Sequence, residues 1–231
     1  MSVAGRPRLD VGVVGAGAIG TAVALALAGA GHRIRAVSTA DAVHRERVEA
    51  ALPGVPIVDE AQVIASAQLV VLAIPEADLP GFAAGTARAG VWRPGQLAVH
   101  TAPGFGERVL DPLAAIGVIP LAISPAIVAT GTGLDAGRLR EARFAVSAPP
   151  AVLPIAQALV IEMGGDPVVI GDADRPVYAE ARAAAAEHAD AIVERSAGLL
   201  RGIGVDDPAA LLRPVLHTSI DAALDRAERA G

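Results

Sequence analysis

Residues 9–30 read Leu9-Asp-Val-Gly-Val-Val14, then Gly15-Ala16-Gly17-Ala18-Ile19-Gly20, then Thr21-Ala-Val-Ala-Leu-Ala-Leu-Ala-Gly-Ala30. The first six residues are rich in β-branched side chains and predict a strand. Ala18–Ala30 is apolar on most helical faces and predicts a buried helix, with Gly31 as its stop. Three glycines join the two elements. Gly15 permits a sharp turn, Gly17 lets another group come close to the backbone, and Gly20 lets helix and strand pack closely. The first N–H groups of the helix face that turn with the positive end of its dipole, which suits a phosphate. The same glycines would also serve a tight turn that binds nothing. Arg33–Val37 reads as the second strand, which completes a strand–helix–strand unit.

Working outward, Val11–Gly31 carries no charge and follows Arg6 and Arg8, so it has the outline of an export signal or membrane span. Asp10, the six glycines at 12, 15, 17, 20, 29 and 31, and the strand that follows argue against both. A cytoplasmic protein with no membrane partner is expected. Ser38 and Thr39 offer N-caps for a helix to about Leu52, with Asp41 three residues after Ser38 as in a capping box. Short strands are expected near Pro56–Val58 and over Leu69–Ile74, Gln96–Thr101, Ile119–Ile123 and Phe144–Ser147. A helix from Ala151 to Met163 and a strand Pro167–Ile170 follow. Beyond Gly171 only helical stretches remain, broken near Gly202–Asp207. Pro208 suits the first turn of the last helix, with Asp206 or Asp207 as its cap. The expected fold is α/β: a Rossmann-type, doubly wound, mostly parallel sheet over 1–171, then a smaller all-helical domain over 172–231.

Composition narrows the chemistry. The 231 residues are 53% hydrophobic and 19% charged, so a core can form, and with 2% aromatics it must be built from Ala, Val, Leu and Ile. A net charge of −6 with few aromatics speaks against nucleic-acid partners. Cysteine is absent, and all 19 basic residues are arginine, so thiolate and lysine chemistry are excluded. No histidine or acidic spacing suggests a metal.

A dinucleotide is the expected ligand of residues 15–20, with Gly15, Ala16, Gly17, Ala18, Ile19 and Gly20 around its pyrophosphate. NAD-type sites usually carry an acid at the end of the second strand. Here Ser38 and Thr39 stand there, with Arg45 and Arg47 on the next helix, which favours NADP and its 2′-phosphate. Asp41 is the competing ribose partner. In a doubly wound sheet the ligand lies beyond the carboxyl ends of the strands. That places Ala73, Ile74, Pro75 and Thr101 along the cofactor. His100 is the candidate acid for a small-molecule substrate, and Ser124 could orient its carbonyl; each serves equally as a structural group. In the helical part Tyr178, Glu187 and His188 are the polar candidates, and the adjacent pair must face different ways.

The run Val11–Gly20 together with Leu72-Ala-Ile-Pro75, His100-Thr101, Pro120-Leu-Ala-Ile-Ser-Pro-Ala126 and Thr130-Gly-Thr132 resembles a bacterial family. Its members join a Rossmann-like domain to a C-terminal domain of unknown function, DUF2520. They are related to coenzyme F420-dependent NADP oxidoreductases, pyrroline-5-carboxylate reductases and 6-phosphogluconate-dehydrogenase-like enzymes. The resemblance implies hydride transfer between NADPH and a keto acid, imine or deazaflavin. It also implies a homodimer formed through the helical domain, and a catalytic role for His188. Where members read His-Thr-Ser, His-Pro and Asn-His, this chain has His100-Thr101-Ala102, Ser124-Pro125 and Glu187-His188. Members also extend beyond the position of Gly231. Cofactor-facing motifs are thus kept while substrate-facing ones have drifted, so a binding protein without turnover is the second expectation.

Overall fold

The computed structural model describes residues 8–40 and 42–229, without the side chains of 42 and 43. Asp41 and Arg6, both weighed above, lie outside the described residues. The chain divides into two compact units, 1–180 and 181–231.

The first unit is built on one seven-stranded sheet: β1 (Asp10–Val14), β2 (Arg33–Ser38), β3 (Leu69–Leu72), β4 (Leu97–His100), β5 (Ile119–Pro125), β6 (Arg143–Ser147) and β7 (Asp166–Val169). Their spatial order is β2-β1-β3-β4-β5-β6-β7. All neighbours are parallel except β5 and β6. The expected strand near Pro56–Val58 shrinks to a single parallel bridge between Ile57 and Val37. Pro56 has no N–H to donate to a ladder, which limits pairing there.

Helix α1 (Ala18–Gly29) links β1 to β2, and α2 (Ala42–Ala51) follows β2. They pack on the sheet face that carries Val11, Val13, Val37, Val71 and Val99. The opposite face, with Val14, Val70, Leu72 and Ala98, is covered by α3 (Glu60–Ser66), α4 (Leu79–Ala89) and α5 (Asp111–Ala114). Crossovers therefore leave β1 and β3 on opposite faces, which opens a crevice at the carboxyl end of β1. The uncharged stretch Val11–Gly31 is β1, the glycine turn and α1. Among the described residues, no helix is long and apolar enough to cross a membrane.

Ser38 does not cap the helix that follows it. It ends β2, and α2 begins at Ala42. After β5 come α6 (Asp135–Leu139) and, between β6 and β7, α7 (Leu153–Glu162). Helix α8 (Arg175–Gly202) runs from the first unit into the second, where α9 (Pro208–Glu228) completes a helical pair. Asp207 caps α9, its Oδ1 accepting from Ala210 N–H at 3.1 Å.

Candidate functional site

The glycine turn sits at the crevice. Gly15 has φ +85°, and a Cβ there would come within 2.6 Å of Ala73 O. Its N–H donates to Ser38 Oγ at 3.3 Å, and Ala16 N–H donates to Ser38 O at 2.7 Å. Ser38 therefore holds the turn with backbone and side chain together. A Cβ on Gly20 would strike Gly15 O. Gly17 is different: nothing lies within 4 Å of the position a Cβ would take. The protein's own packing supplies no reason for a missing side chain at 17. Open space beside a helix start that lacks a side-chain cap supplies one.

A cleft of about 290 Å³ borders the turn, lined by Ala16–Ala18, Thr21 and Leu25 of α1, Arg47 of α2, and Gly131–Gly133. At the end of β2, Thr39 Oγ1 is buried with no hydrogen-bond partner among the described residues. Arg45 and Arg47 are exposed on α2. Bare N–H groups, an open Gly17 and an unpaired hydroxyl at the β2 end together fit a dinucleotide.

The next rim is formed by the ends of β3 and β4. Ala73 N–H donates to Val14 O at 2.8 Å, and Thr101 N–H to Leu72 O at 3.2 Å. Ala73, Ile74 and Thr101 are half-buried, and Pro75 is exposed. Glu76 Oε2 accepts from Gly104 N–H at 3.0 Å and so ties the loop after β4 to the loop after β3. Ala102 is buried.

His100, Ser124 and Ser147 project from one sheet face. His100 pairs with Ala122, Ala122 pairs with Ser147, and Ser124 lies two residues beyond Ala122. Arg175, fully buried, spans this face at the start of α8. Its Nε donates to Ser147 Oγ at 2.7 Å, and its Nη2 donates to Ala145 O at 3.1 Å and Ala122 O at 3.3 Å. The guanidinium carbon lies 6.0 Å from the Tyr178 ring centroid. Burial pushes the Arg175 pKa down to about 10, with Tyr178, Glu107 and Asp172 opposing, so it stays cationic at neutral pH.

His100 is sealed in this seam, with no exposed surface. Its Nε2 lies 2.9 Å from Gly106 O, a pairing that assigns the proton to Nε2. Burial lowers its pKa to about 4; the Gly106 carbonyl opposes the shift and the Arg175 charge adds to it. The imidazole is therefore neutral at physiological pH, with its N–H already given to backbone. That geometry departs from the expected substrate-facing acid. Ser124 Oγ is also fully buried, without a hydrogen-bond partner among the described residues. His188 belongs to the second unit, exposed on α8, with Nδ1 2.7 Å from Ala184 O; Glu187 beside it is exposed too. The structure thus groups His100 with Ser124 in the first unit.

Sequence reasoning missed Arg175, Glu107 and Asp135. Nothing separates Arg175 from the other arginines in a linear reading. Asp135 did have a signal, because two threonines and two glycines precede it in Thr130-Gly-Thr-Gly133. Among the described residues, no group of three or more His, Asp or Glu could hold a metal ion.

This geometry can be set beside known proteins. A Rossmann-like domain model matches residues 2–125, and the DUF2520 model, a domain of unknown function, matches 142–231. The chain belongs to the Rossmann-like family with a DUF2520 domain. The DUF2520 match begins one residue before β6, so the last two strands of the sheet fall within it. No curated protein matches the chain in sequence. Solved structures do share its fold. A candidate NADP oxidoreductase from Bacteroides fragilis superposes with a TM-score of 0.75 at 18% identity, over 94% of this chain and 81% of that one. An imine reductase from a Pseudomonas species gives 0.70 at 18%, over 96% and 77%. The 1-pyrroline-5-carboxylate reductase of Streptococcus pyogenes gives 0.67 at 17%, over 94% and 79%.

Proposed function

We propose that this DUF2520 protein binds NADP on the glycine turn and transfers hydride between NADPH and a small keto acid, imine or deazaflavin. The observation that carries the reading is the contrast within the turn. Gly15 and Gly20 are enforced by packing, whereas Gly17 opens onto space at the start of α1. The bound nicotinamide would supply the hydride chemistry. The chain's part is to hold and orient it. The α1 N–H groups face the pyrophosphate. Thr39 and Arg45 would serve the 2′-phosphate. Ala73, Ile74, Pro75 and Thr101 line the ribose and nicotinamide. With His100 neutral and sealed, an acceptor that needs no protein acid, such as a deazaflavin, suits this rim best. Calorimetric titration with NADP and NAD tests the binding, and equal affinity or a preference for NAD would overturn the NADP assignment. NADPH oxidation in a panel of keto acids, imines and coenzyme F420 tests the transfer.

The burial of His100 and Ser124 favours a second reading, an NADP-binding protein without turnover. Tight NADPH binding with no oxidation by any acceptor in the panel would decide for it.

A homodimer through the helical unit belongs to the same proposal. Among the described residues beyond 180, only Ala197 and Pro208 are buried, while Leu199, Ile203, Leu211, Val215 and Leu224 are exposed. Two helices with that much bare apolar surface are suited to a second copy of the chain. Light scattering at micromolar concentration should report a dimer, and a monomer would refute this assembly.

A further inference from the structure

The cleft beside the glycine turn has a second wall that no nucleotide motif accounts for. It is Gly131-Thr132-Gly133, which comes from beyond β5 and lines the cleft together with Ala16–Ala18. A buried carboxylate holds this loop in shape. Asp135 Oδ2 accepts from Thr130 N–H at 2.9 Å and Gly131 N–H at 2.7 Å, and its Oδ1 accepts from Thr130 Oγ1 at 3.0 Å and Arg138 Nη1 at 2.8 Å. Burial alone would raise the Asp135 pKa, but these bonds outweigh it and leave the carboxyl below its usual value. Gly131 has φ +72°, and Arg47 Nη1 lies 2.9 Å from the position its Cβ would take. The same position is 3.8 Å from Ala18 Cβ. The missing side chain at 131 therefore leaves room for the Arg47 guanidinium beside the start of α1.

The geometry points to Arg47 and the Asp135-braced loop as a clamp for the pyrophosphate of a bound dinucleotide, opposite the glycine turn. Arg47 is exposed and forms no hydrogen bond or ion pair among the described residues, so its charge is available. The cleft it lines includes Ala16, Gly17 and Ala18 but neither Ser38 nor Thr39. Its target is accordingly the phosphate common to NAD and NADP. The sequence groups Arg47 with Arg45 near the 2′-phosphate; the clamp gives Arg47 a role of its own. This inference depends on the reading that a nucleotide occupies the turn.

The test is titration of the full-length chain with NADPH and with NADH, at several salt concentrations. Arg47→Gln should weaken both nucleotides by the same factor, about tenfold, and flatten the salt dependence of binding. Arg47→Lys should recover most of the affinity for both. Gly131→Ala should weaken both as well, by crowding the guanidinium. A loss confined to NADPH would move Arg47 to the 2′-phosphate and overturn the clamp, as would unchanged affinity for both. If the wild-type chain binds neither nucleotide, the functional reading itself fails, and the clamp with it. Wild-type binding that survives Arg47→Gln intact defeats the clamp alone.

Discussion

Two ends of one sheet edge are built in opposite ways. At the carboxyl end of β1 the chain leaves things out: a side chain at Gly17, a cap on α1, a partner for Thr39 Oγ1. Along the ends of β4, β5 and β6 it fills the space with polar groups and closes over them, with His100, Ser124 and Arg175 all fully buried. The first region is shaped for something brought from outside. The second encloses its polar groups: His100 Nε2 and Arg175 are bonded to backbone carbonyls and Ser147, while Ser124 Oγ and His100 Nδ1 are shut in without a partner among the described residues. The difference teaches that a titratable residue at a strand end is not by that placement a reactive one. What matters is whether a group from outside can reach it.

The largest test of the contrast strikes the sealed end. Arg175→Met removes the donors that satisfy Ser147 Oγ, Ala145 O and Ala122 O inside the fold. It should cost about 3–5 kcal/mol in urea denaturation. A loss below about 1 kcal/mol would mean that the seam is not structural.

Acid should reach the same seam next. Folded His100 stays neutral down to about pH 4, while an unfolded histidine takes its proton near 6.5. Between those values the unfolded state binds more protons, so the contribution is complete above pH 6.5 and is lost as pH falls to about 4. The loss amounts to up to about 3 kcal/mol. Denaturation midpoints of the wild type and His100→Gln should therefore converge as pH falls through that window. Parallel curves would show that His100 is not the group responsible.

At the open end, Gly17→Val should leave thermal stability almost unchanged yet weaken NADP by about a hundredfold, because its side chain would occupy the phosphate's place. Gly20→Ala should do the reverse: the new Cβ meets Gly15 O, and about 1–3 kcal/mol of stability is lost. If both variants lose stability alike, Gly17 is a packing glycine and the open end is ordinary turn structure. The smallest effect is expected from Thr39→Val, a few-fold loss for NADP with little change for NAD. Equal change in both would remove Thr39 from the 2′-phosphate.

Much of the fold was legible because periodicity and turn chemistry are local. β1, the glycine turn, α1 and Gly31 follow from near neighbours in the chain, and the continuous apolar run at Leu69–Leu72 follows from burial on both faces. The helix expected from Ser38 was misread at its start. The hydroxyl that looked like a cap was needed 23 residues back in the chain, by the N–H of Gly15. The candidate site was legible only on its glycine side. His100 and Ser124 were found as residues but not as a sealed pair, since burial depends on Gly106 and Arg175 folding over them.

By itself, the sequence determined the strand–glycine–helix unit, the alternation that yields a mostly parallel sheet, and the absence of lysine and cysteine chemistry. Each is a property of residue type and short spacing. The tertiary structure alone decided which glycine faces open space, that the Arg47 guanidinium lies beside Gly131, and that His100 is neutral and enclosed. Those outcomes depend on groups tens of residues apart meeting across the sheet, where desolvation and hydrogen bonding are set by neighbours that no local pattern reveals.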